Sequence, residues 1–470
     1  MQAKHVVGVI GGAVAGSEAA AAAADRGALV VVFEQNDRPY GKIEDGLPRW
    51  HGPLRLKEFA RIDANLSHPN ILFVPRTRVG EEVCWESLSS QLSLSAIVLA
   101  NGAWRDRPIG LPGLERFEGA GFYYQNRFVH WFNHLGEPGH DDGEVVLDDG
   151  AIVIGGGLAS VDVVKIINLE LYARAARARG VELDVHAMER RGIPKTLAEH
   201  GLDAAGLGVR GATLYYRRRA EDMALASMAD PTPEQLAKLQ RTRLKILDKV
   251  RREFLVGFEG QVVARQALVS NGGLAGVVFQ RVRAQGRTLV PVEGAELIAH
   301  SRLVVSAIGS LPEPLEGVPM DGDLYAYKDW ATGELDAEAG VWGLGNALTG
   351  RGNIRESRRN ARAVMRHLRE AHLAGDIAGG DASTRAHAAL RADAERLFSE
   401  ALSGPAVGAE HVARVRAWVA ARWRKIGYPG DYAAWIAAHP PRDRVEAAEA
   451  AEATALPRRG RGGTIVPRRS

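Results

Sequence analysis

The chain has 470 residues, a length that suits about three domains at roughly 150 residues each, and a composition that is 46% hydrophobic and 25% charged excludes wholesale disorder. Sixty Lys and Arg against 57 Asp and Glu leave a net charge of +3, too even a balance to argue for nucleic-acid binding. The one cysteine, Cys84, excludes an internal disulfide, a C-x-x-C redox pair, an iron–sulfur cluster and a cysteine zinc site, so any electron transfer must run through a bound cofactor.

No apolar run reaches the roughly 18–20 residues of a membrane helix. Lys4 followed by VVGVIGGAVAGSEAAAAAA has the outline of a secretory signal. Glu18 and Asp25 break it, and it reads better as a strand, a Gly turn and a helix. A reducing, cytoplasmic setting fits the single Cys.

His5–Ile10 is a β-branched run that ends at Gly11 and Gly12, the pattern of a buried strand. Ser17–Arg26 is an alanine-rich helix with Gly27 as its C-cap. ALVVVFE is a second buried strand, which completes a βαβ unit of about thirty residues. A second unit starts at Ala151: AIVIGGG is a strand, ASVDVVKIINLELYARAARARG a helix, and 212–218 the return strand. Between them lies a charged, Gly-rich insertion over roughly 180–210. PTPEQLAKLQRTRLKILDKVRREF is a helix, followed by short strand-like runs, FLVGF to RLVVSAIG. A last Gly-rich turn, VWGLGNALTGRGNI, leads into another helix. Residues 384–438 are Ala- and Arg-rich and helical in pattern, with aromatics from Trp418 to Trp435, and 456–470 form a basic tail expected to be disordered.

Gly11, Ala13 and Gly16 occupy the G-x-G-x-x-G positions of the first turn. Such a turn lets backbone N–H groups and a helix N-terminus reach a pyrophosphate. Ala13 adds a methyl where close approach favours Gly. Glu34 lies 18 residues beyond Gly16, at the end of the second strand, where a carboxylate accepts ribose hydroxyls. The expected ligand is FAD; the competing reading is a tight strand-to-helix turn without a ligand.

Gly155, Gly157 and Ser160 take the same positions in the second turn. Its return strand is followed by Arg217, Arg218 and Arg219, not by an acid. Guanidinium groups clasp a 2′-phosphate that a carboxylate would repel, so NADP(H) is expected over NAD(H), against a solvated Arg run. The Tyr before these arginines suits packing or stacking on adenine.

In this order the motifs resemble those of the adrenodoxin-reductase-like ferredoxin–NADP⁺ reductases and the related small subunit of glutamate synthase, over roughly residues 5–370. PYGKIEDGLPRWHGP resembles the stretch that runs under the flavin, with Gly41, then Gly46 and His51 in a Gly…His pattern. AIVLANGAWRDRPIGLPG stands where the family has "ATGA…R…PG", with Gly102 in place and Asn101 departing. FVHWFNHLGEP is similar to the "FVxWYNxHP" crossover, and YRRRAEDM to the "YRRxxxxM" of glutamate synthase. GNALTGRGNI resembles the closing motif that approaches the flavin pyrimidine, through Gly345, Gly350, Gly352 and Ile354. Asn346 replaces the family's Trp, and the loop is one residue shorter.

The resemblance implies an α/β chain with two Rossmann-like dinucleotide-binding domains. A discontinuous FAD domain is expected at 1–125 and 320–378, an inserted NADP domain at 126–319, and a helical extension at 379–455. It also implies His51 near the flavin and Asp162 beside it as a hydrogen-bond partner, a pair suited to relaying a proton or holding the nicotinamide amide. The alternatives are a buried, satisfied histidine and a carboxylate favoured by the helix dipole. Arg351, Arg355, Arg358, Arg359 and Arg362 form a stripe that suits an acidic ferredoxin-like acceptor or simple solvation. His130, His134 and His140 have no metal-ligand companions at helical spacing, so no metal is expected, and Cys84 is expected to be inert. The activity implied is hydride transfer from NADPH to FAD and onward to an external acceptor. A glutamate-synthase-like subunit feeding a partner enzyme, an oxidase acting on a small substrate, or a flavin-binding protein with impaired turnover remain the alternatives. Neither nucleic acid nor membrane is an expected partner.

Overall fold

The structure, a computed structural model, describes residues 3–137, 143, 145–226, 228, 231–286, 288–336, 339–348, 369 and 380–455. It is an α/β fold with two largely parallel sheets and a set of C-terminal helices.

The first sheet is built on β1 (Val6–Ile10), β2 (Leu29–Phe33), β3 (Ile71–Val74) and β4 (Ala96–Leu99). All four are buried throughout, so they read as continuous apolar runs, as parallel strands covered on both faces do. β1 lies between β2 and β4, with Val7 opposite Val30 and Ile10 opposite Leu99. Val341–Gly343 joins β4 in parallel and Glu334–Asp336 closes that edge antiparallel. A strand from late in the chain thus completes a sheet begun at its start.

Helix α1 (Val14–Asp25) is buried from Val14 to Ala24 because the sheet, α3 (Gly52–Leu66) and the helix Gly380–Ala401 surround it. Alanine fits this setting: it favours helix and lets neighbours approach on every side.

The second sheet contains β6 (Phe122–Tyr124), β7 (Ile152–Gly155), β8 (Thr213–Tyr216) and β9 (Gly257–Gly260). The strand Val304–Ala307 lies between β6 and β7, and all these pairs are parallel. Phe122–Tyr124, just before the expected boundary at 125/126, therefore pairs within the second sheet. A small ladder, β5 (Arg105–Asp106) with Ser310–Leu311, bridges the two connections between the sheets. Three antiparallel strands, Val262–Ser270, Gly273–Gln285 and Thr288–His300, extend from the second sheet, and Phe279 stacks on Tyr215 with centroids 4.3 Å apart.

Helix α2 (Lys42–Asp45) follows β2, α4 (Trp85–Ser90) precedes β4, α5 (Gln125–His134) follows β6 and α6 (Leu158–Arg177) follows β7. The 180–210 insertion, expected as charge and glycine, folds into three short helices. Asp184 and Asp203 cap the first and last of them with their side chains. The return strand ends at Tyr216, so Arg217 and Arg218 sit in the loop beyond it, not in the strand expected to reach 218.

Among the described residues the C-terminal region forms four helices, Gly380–Ala401, Ala409–Ile426, Tyr432–Ala438 and Arg442–Ala455. Leu390, Ala394 and Phe398 enter the core of the first sheet. Polar anchors fix the others: Trp423 Nε1 donates to Phe73 O at 2.8 Å, Arg422 Nε to Thr77 Oγ1 at 2.9 Å, and Tyr432 OH to Asp63 Oδ1 at 2.7 Å. Among the described residues no helix is long and apolar enough to cross a membrane. The tail 456–470 and the arginines 351–362 lie outside the described residues.

Candidate functional site

The C-terminal ends of β1, β2 and β4 open on a cleft lined by Gly11, Ala13, Glu34, Gly41, Gly102 and Asn346 among others. The chain turns sharply at Gly11, whose φ is +93°, and its N–H donates to Phe33 O at 2.8 Å. A Cβ on Gly11 would lie 2.7 Å from Ala100 O, and one on Gly16 only 1.7 Å from Gly11 O. The two glycines therefore bring α1 hard against the end of β1. Like any helix start, α1 leaves its first N–H groups without intrahelical partners, and its cap residue Ala13 supplies no side-chain acceptor.

The extra methyl of Ala13 is absorbed by Gly41. A Cβ on Gly41 would sit 2.9 Å from the Ala13 Cβ, and Gly41 has φ +50°. The departure at position 13 thus sets a requirement at position 41.

Glu34 ends the buried strand and is itself 5% exposed. Its Oε2 accepts the Gly12 N–H at 2.9 Å and its Oε1 the Asn36 N–H at 3.0 Å. Burial pushes its pKa up to about 7, against the pull of those N–H groups.

On the opposite wall Gly102 has φ +76° and lies against Trp104. Lys42 Nζ stands 5.3 Å above the Trp104 ring and donates to Asn126 Oδ1 and Ser310 Oγ. Asn101 Nδ2 donates to Tyr325 OH at 3.0 Å. Gly345, with φ +70°, starts the turn that brings Asn346 to the cleft. Gly350, Gly352 and Ile354 lie outside the described residues.

The second turn repeats this construction. A Cβ on Gly155 would meet Ala307 O at 2.5 Å, and one on Gly156 would meet the Tyr216 ring at 2.0 Å. Gly157 caps α6 and has open space around it. Ser160 is fully buried and its Oγ donates to Gly157 O at 2.6 Å. Tyr216 is a packing residue: its ring covers Gly156 and its OH donates to Asp222 O. Arg217 is exposed, and among the described residues it has no ion-pair partner. Arg218 donates to Gly286 O at 3.3 Å, whereas Arg219 is held by Glu221 and Asp222.

The two units meet where His51 and Asp162 lie, both almost fully buried. The turn that carries His51 packs on α6 through Trp50, which shares a core with Leu158 and Val161 and lies 4.8 Å below Lys165 Nζ. Asp162 Oδ2 is 2.8 Å from the guanidinium of Arg369, which also donates to Gly46 O at 2.6 Å. Arg369 thus ties α6 to the segment after α2. Sequence reasoning missed it, and no local pattern marks it among the many arginines around it.

Linear spacing leaves His130 and His134 without a companion, but the fold places Asp45 against both. Cys84 is exposed and contacts Ser87.

No family model matches the chain. It is 23% identical over 383 residues to a protein of Cereibacter sphaeroides provisionally named as an NADPH glutamate synthase small chain, covering 77% of this chain and 76% of that one. It is 32% identical over 171 residues to the NADPH glutamate synthase small chain of Mycobacterium tuberculosis, covering 34% and 32% of the two chains. Among solved structures, FprA of Mycobacterium tuberculosis in complex with NADPH superposes with a TM-score of 0.59 at 18% identity, over 90% of this chain and 91% of that one. The same protein as a His-to-Gln mutant superposes equally well. The chain thus shares the fold of FprA over nine-tenths of its length.

Proposed function

We propose that the protein is an FAD-dependent oxidoreductase that takes a hydride from NADPH and passes the electrons to an external acceptor. The observation that carries this reading is the paired construction: two strand ends, each closed by glycines that no side chain can replace, one followed by Glu34 and the other by Arg217 and Arg218.

The residues of the first cleft fit FAD. Gly11 and Gly16 leave backbone at the helix start for a pyrophosphate, and Glu34 offers carboxylate oxygens to a ribose. Bound FAD supplies a two-electron acceptor at N5 for hydride from nicotinamide C4. The chain contributes position and charge. Gly157 and the start of α6 receive the second pyrophosphate, and the Arg217 and Arg218 side chains receive a 2′-phosphate. Lys42, beside Gly41, adds positive charge at the rim of the first cleft. His51 and Asp162, at the junction of the units, orient the nicotinamide amide or hold a proton near the flavin, and the Arg369 contact fixes the position of the Asp162 carboxylate.

A single cysteine leaves no dithiol to receive electrons within the chain, so they leave directly to a ferredoxin-like protein or another acceptor. The names of the bacterial relatives favour a second reading, a reductase subunit that feeds a partner enzyme. We place the protein in the cytoplasm, where NADPH and reduced thiols are maintained.

Steady-state oxidation of NADPH by the FAD-reconstituted protein, with ferricyanide as artificial acceptor, tests the reading. Turnover that requires FAD and prefers NADPH to NADH supports it. No turnover with either nucleotide contradicts it. Co-purification with a large partner subunit separates the second reading from the first.

A further inference from the structure

We propose that Asp45, His130 and His134 form a binding site for a divalent transition-metal ion such as Zn²⁺, which clips α2 to α5.

His130 and His134 are one turn apart on α5, so their side chains share a face, and their ring centroids are 4.4 Å apart. Asp45, the last residue of α2, projects between them. Its Oδ1 is 3.0 Å from His134 Nε2 and 3.9 Å from His130 Nε2, and all three ligand atoms lie within 4.8 Å of one another. Around a tetrahedral ion with bonds of about 2.0–2.1 Å, ligand atoms are roughly 3.3 Å apart. The two measured edges bracket that value. His130 is one-third exposed, and its edge to Asp45 would have to shorten by about 0.6 Å to reach the tetrahedral value.

The hydrogen-bond arithmetic at His134 points the same way. Its Nδ1 is 2.5 Å from Glu137 Oε2 while its Nε2 faces Asp45. A neutral imidazole has one N–H and cannot donate to both carboxylates. With Nδ1 facing Glu137, Nε2 is the ring nitrogen turned toward Asp45, as a ligand atom must be. Glu137 on Nδ1 is the outer carboxylate that orients a metal-bound histidine and leaves Nε2 as the ligand atom. Two imidazoles and a carboxylate suit Zn²⁺, with water completing the shell. The nearby Arg38 does not oppose this strongly, because its guanidinium is paired with Glu44 at 2.6 Å.

The site sits on a seam already held by polar contacts. Asn133 on α5 donates to Glu44 O at 2.7 Å and to Leu47 O at 3.0 Å. Asp45 is only four residues beyond Gly41, so an ion there would also fix the helix that lines the candidate FAD cleft. The proposal does not depend on the redox reading, because its test needs no turnover.

Full-length protein stripped with a chelator and dialysed is titrated with Zn²⁺ by calorimetry, and bound zinc is counted by elemental analysis. We expect one tight equivalent, weakened in His130→Ala and in Asp45→Asn by at least the roughly 100-fold that loss of an outer-shell partner can cost. The rim position of His130 lets that variant fold, which its circular dichroism checks. With Co²⁺ the wild-type protein should give the intense visible bands of a four-coordinate site, and His130→Ala should lose them. No stoichiometric zinc, or zinc bound equally by both variants and the wild-type protein, overturns the proposal.

Discussion

The Gly12 N–H donates to the Glu34 carboxylate at 2.9 Å, across the mouth of the turn that starts α1. This bond orients the carboxylate at the strand end while leaving acceptor capacity for hydroxyl groups of a ligand. Glu34→Gln should therefore weaken FAD binding about 10- to 100-fold, the worth of roughly one or two hydrogen bonds to a charged group. Fluorescence titration of the apoprotein with FAD measures it, and an unchanged affinity would remove Glu34 from the site.

Glu34 also makes the apoprotein sensitive to pH. Its pKa is raised from 4.5 to about 7, so the folded state holds a proton that the unfolded state releases. Its contribution to stability is complete below about 4.5 and is lost as pH rises through about 7. The thermal midpoint of the apoprotein should fall across that range, and Glu34→Gln should flatten the fall. Equal slopes for the two proteins would show that another group governs it.

Gly41→Ala tests the accommodation of Ala13. The new methyl would stand 2.9 Å from the Ala13 Cβ on a backbone at φ +50°. The positive-φ backbone, with ψ −132°, alone costs about 1–3 kcal/mol. FAD retention on a desalting column and the melting temperature should both drop, and Ala13→Gly in the same chain should restore part of each. Full cofactor retention in Gly41→Ala would refute the coupling.

Arg217→Ala with Arg218→Ala should raise the KM for NADPH much more than that for NADH. A 2′-phosphate held by two guanidinium groups loses its partners, whereas NADH has no such group. Equal effects on both would reject the assignment.

The helix Gly380–Ala401 is docked through a buried histidine. His387 lies between Glu18 at 2.9 Å and Glu58 at 2.6 Å, and Ser383 also donates to Glu58. Burial pulls the imidazolium pKa down, but the two carboxylates outweigh it and hold it above 6.5. A histidine with a raised folded-state pKa stabilises fully below its ordinary value, and that stability is lost as pH rises through the raised one. Proteolysis of the C-terminal helices should therefore accelerate from mildly acidic to alkaline pH. His387→Ala should make cleavage fast at all pH values, since it removes the imidazolium between two buried carboxylates, of which Glu18 retains its Arg61 ion pair. Cleavage that is independent of pH in the native protein would contradict this.

What could be read from the sequence was local. Gly11, Gly16 and Glu34 stand at fixed offsets within one βαβ unit, and Gly155, Gly157 and Ser160 do so in another, because strand, turn and helix geometry set those offsets. Partners brought together by the fold were invisible. Asp45 meets His130 and His134 across α2 and α5, His387 reaches Glu18 and Glu58 across most of the chain, and Arg369 finds Asp162 in the other unit. The three helices of the insertion were hidden by a charged, Gly-rich composition, and the capping roles of Asp184 and Asp203 came only with the structure. Tyr216 was open to an adenine-stacking role because nothing in the sequence shows that its ring fills the space above Gly156.

The central claim is that two dinucleotides meet in this chain, and anaerobic single turnover tests it most directly. FAD-loaded protein mixed with NADPH should lose its flavin absorbance in a fast phase, with NADH reacting much more slowly. A flavin that stays oxidised with both nucleotides would contradict the account.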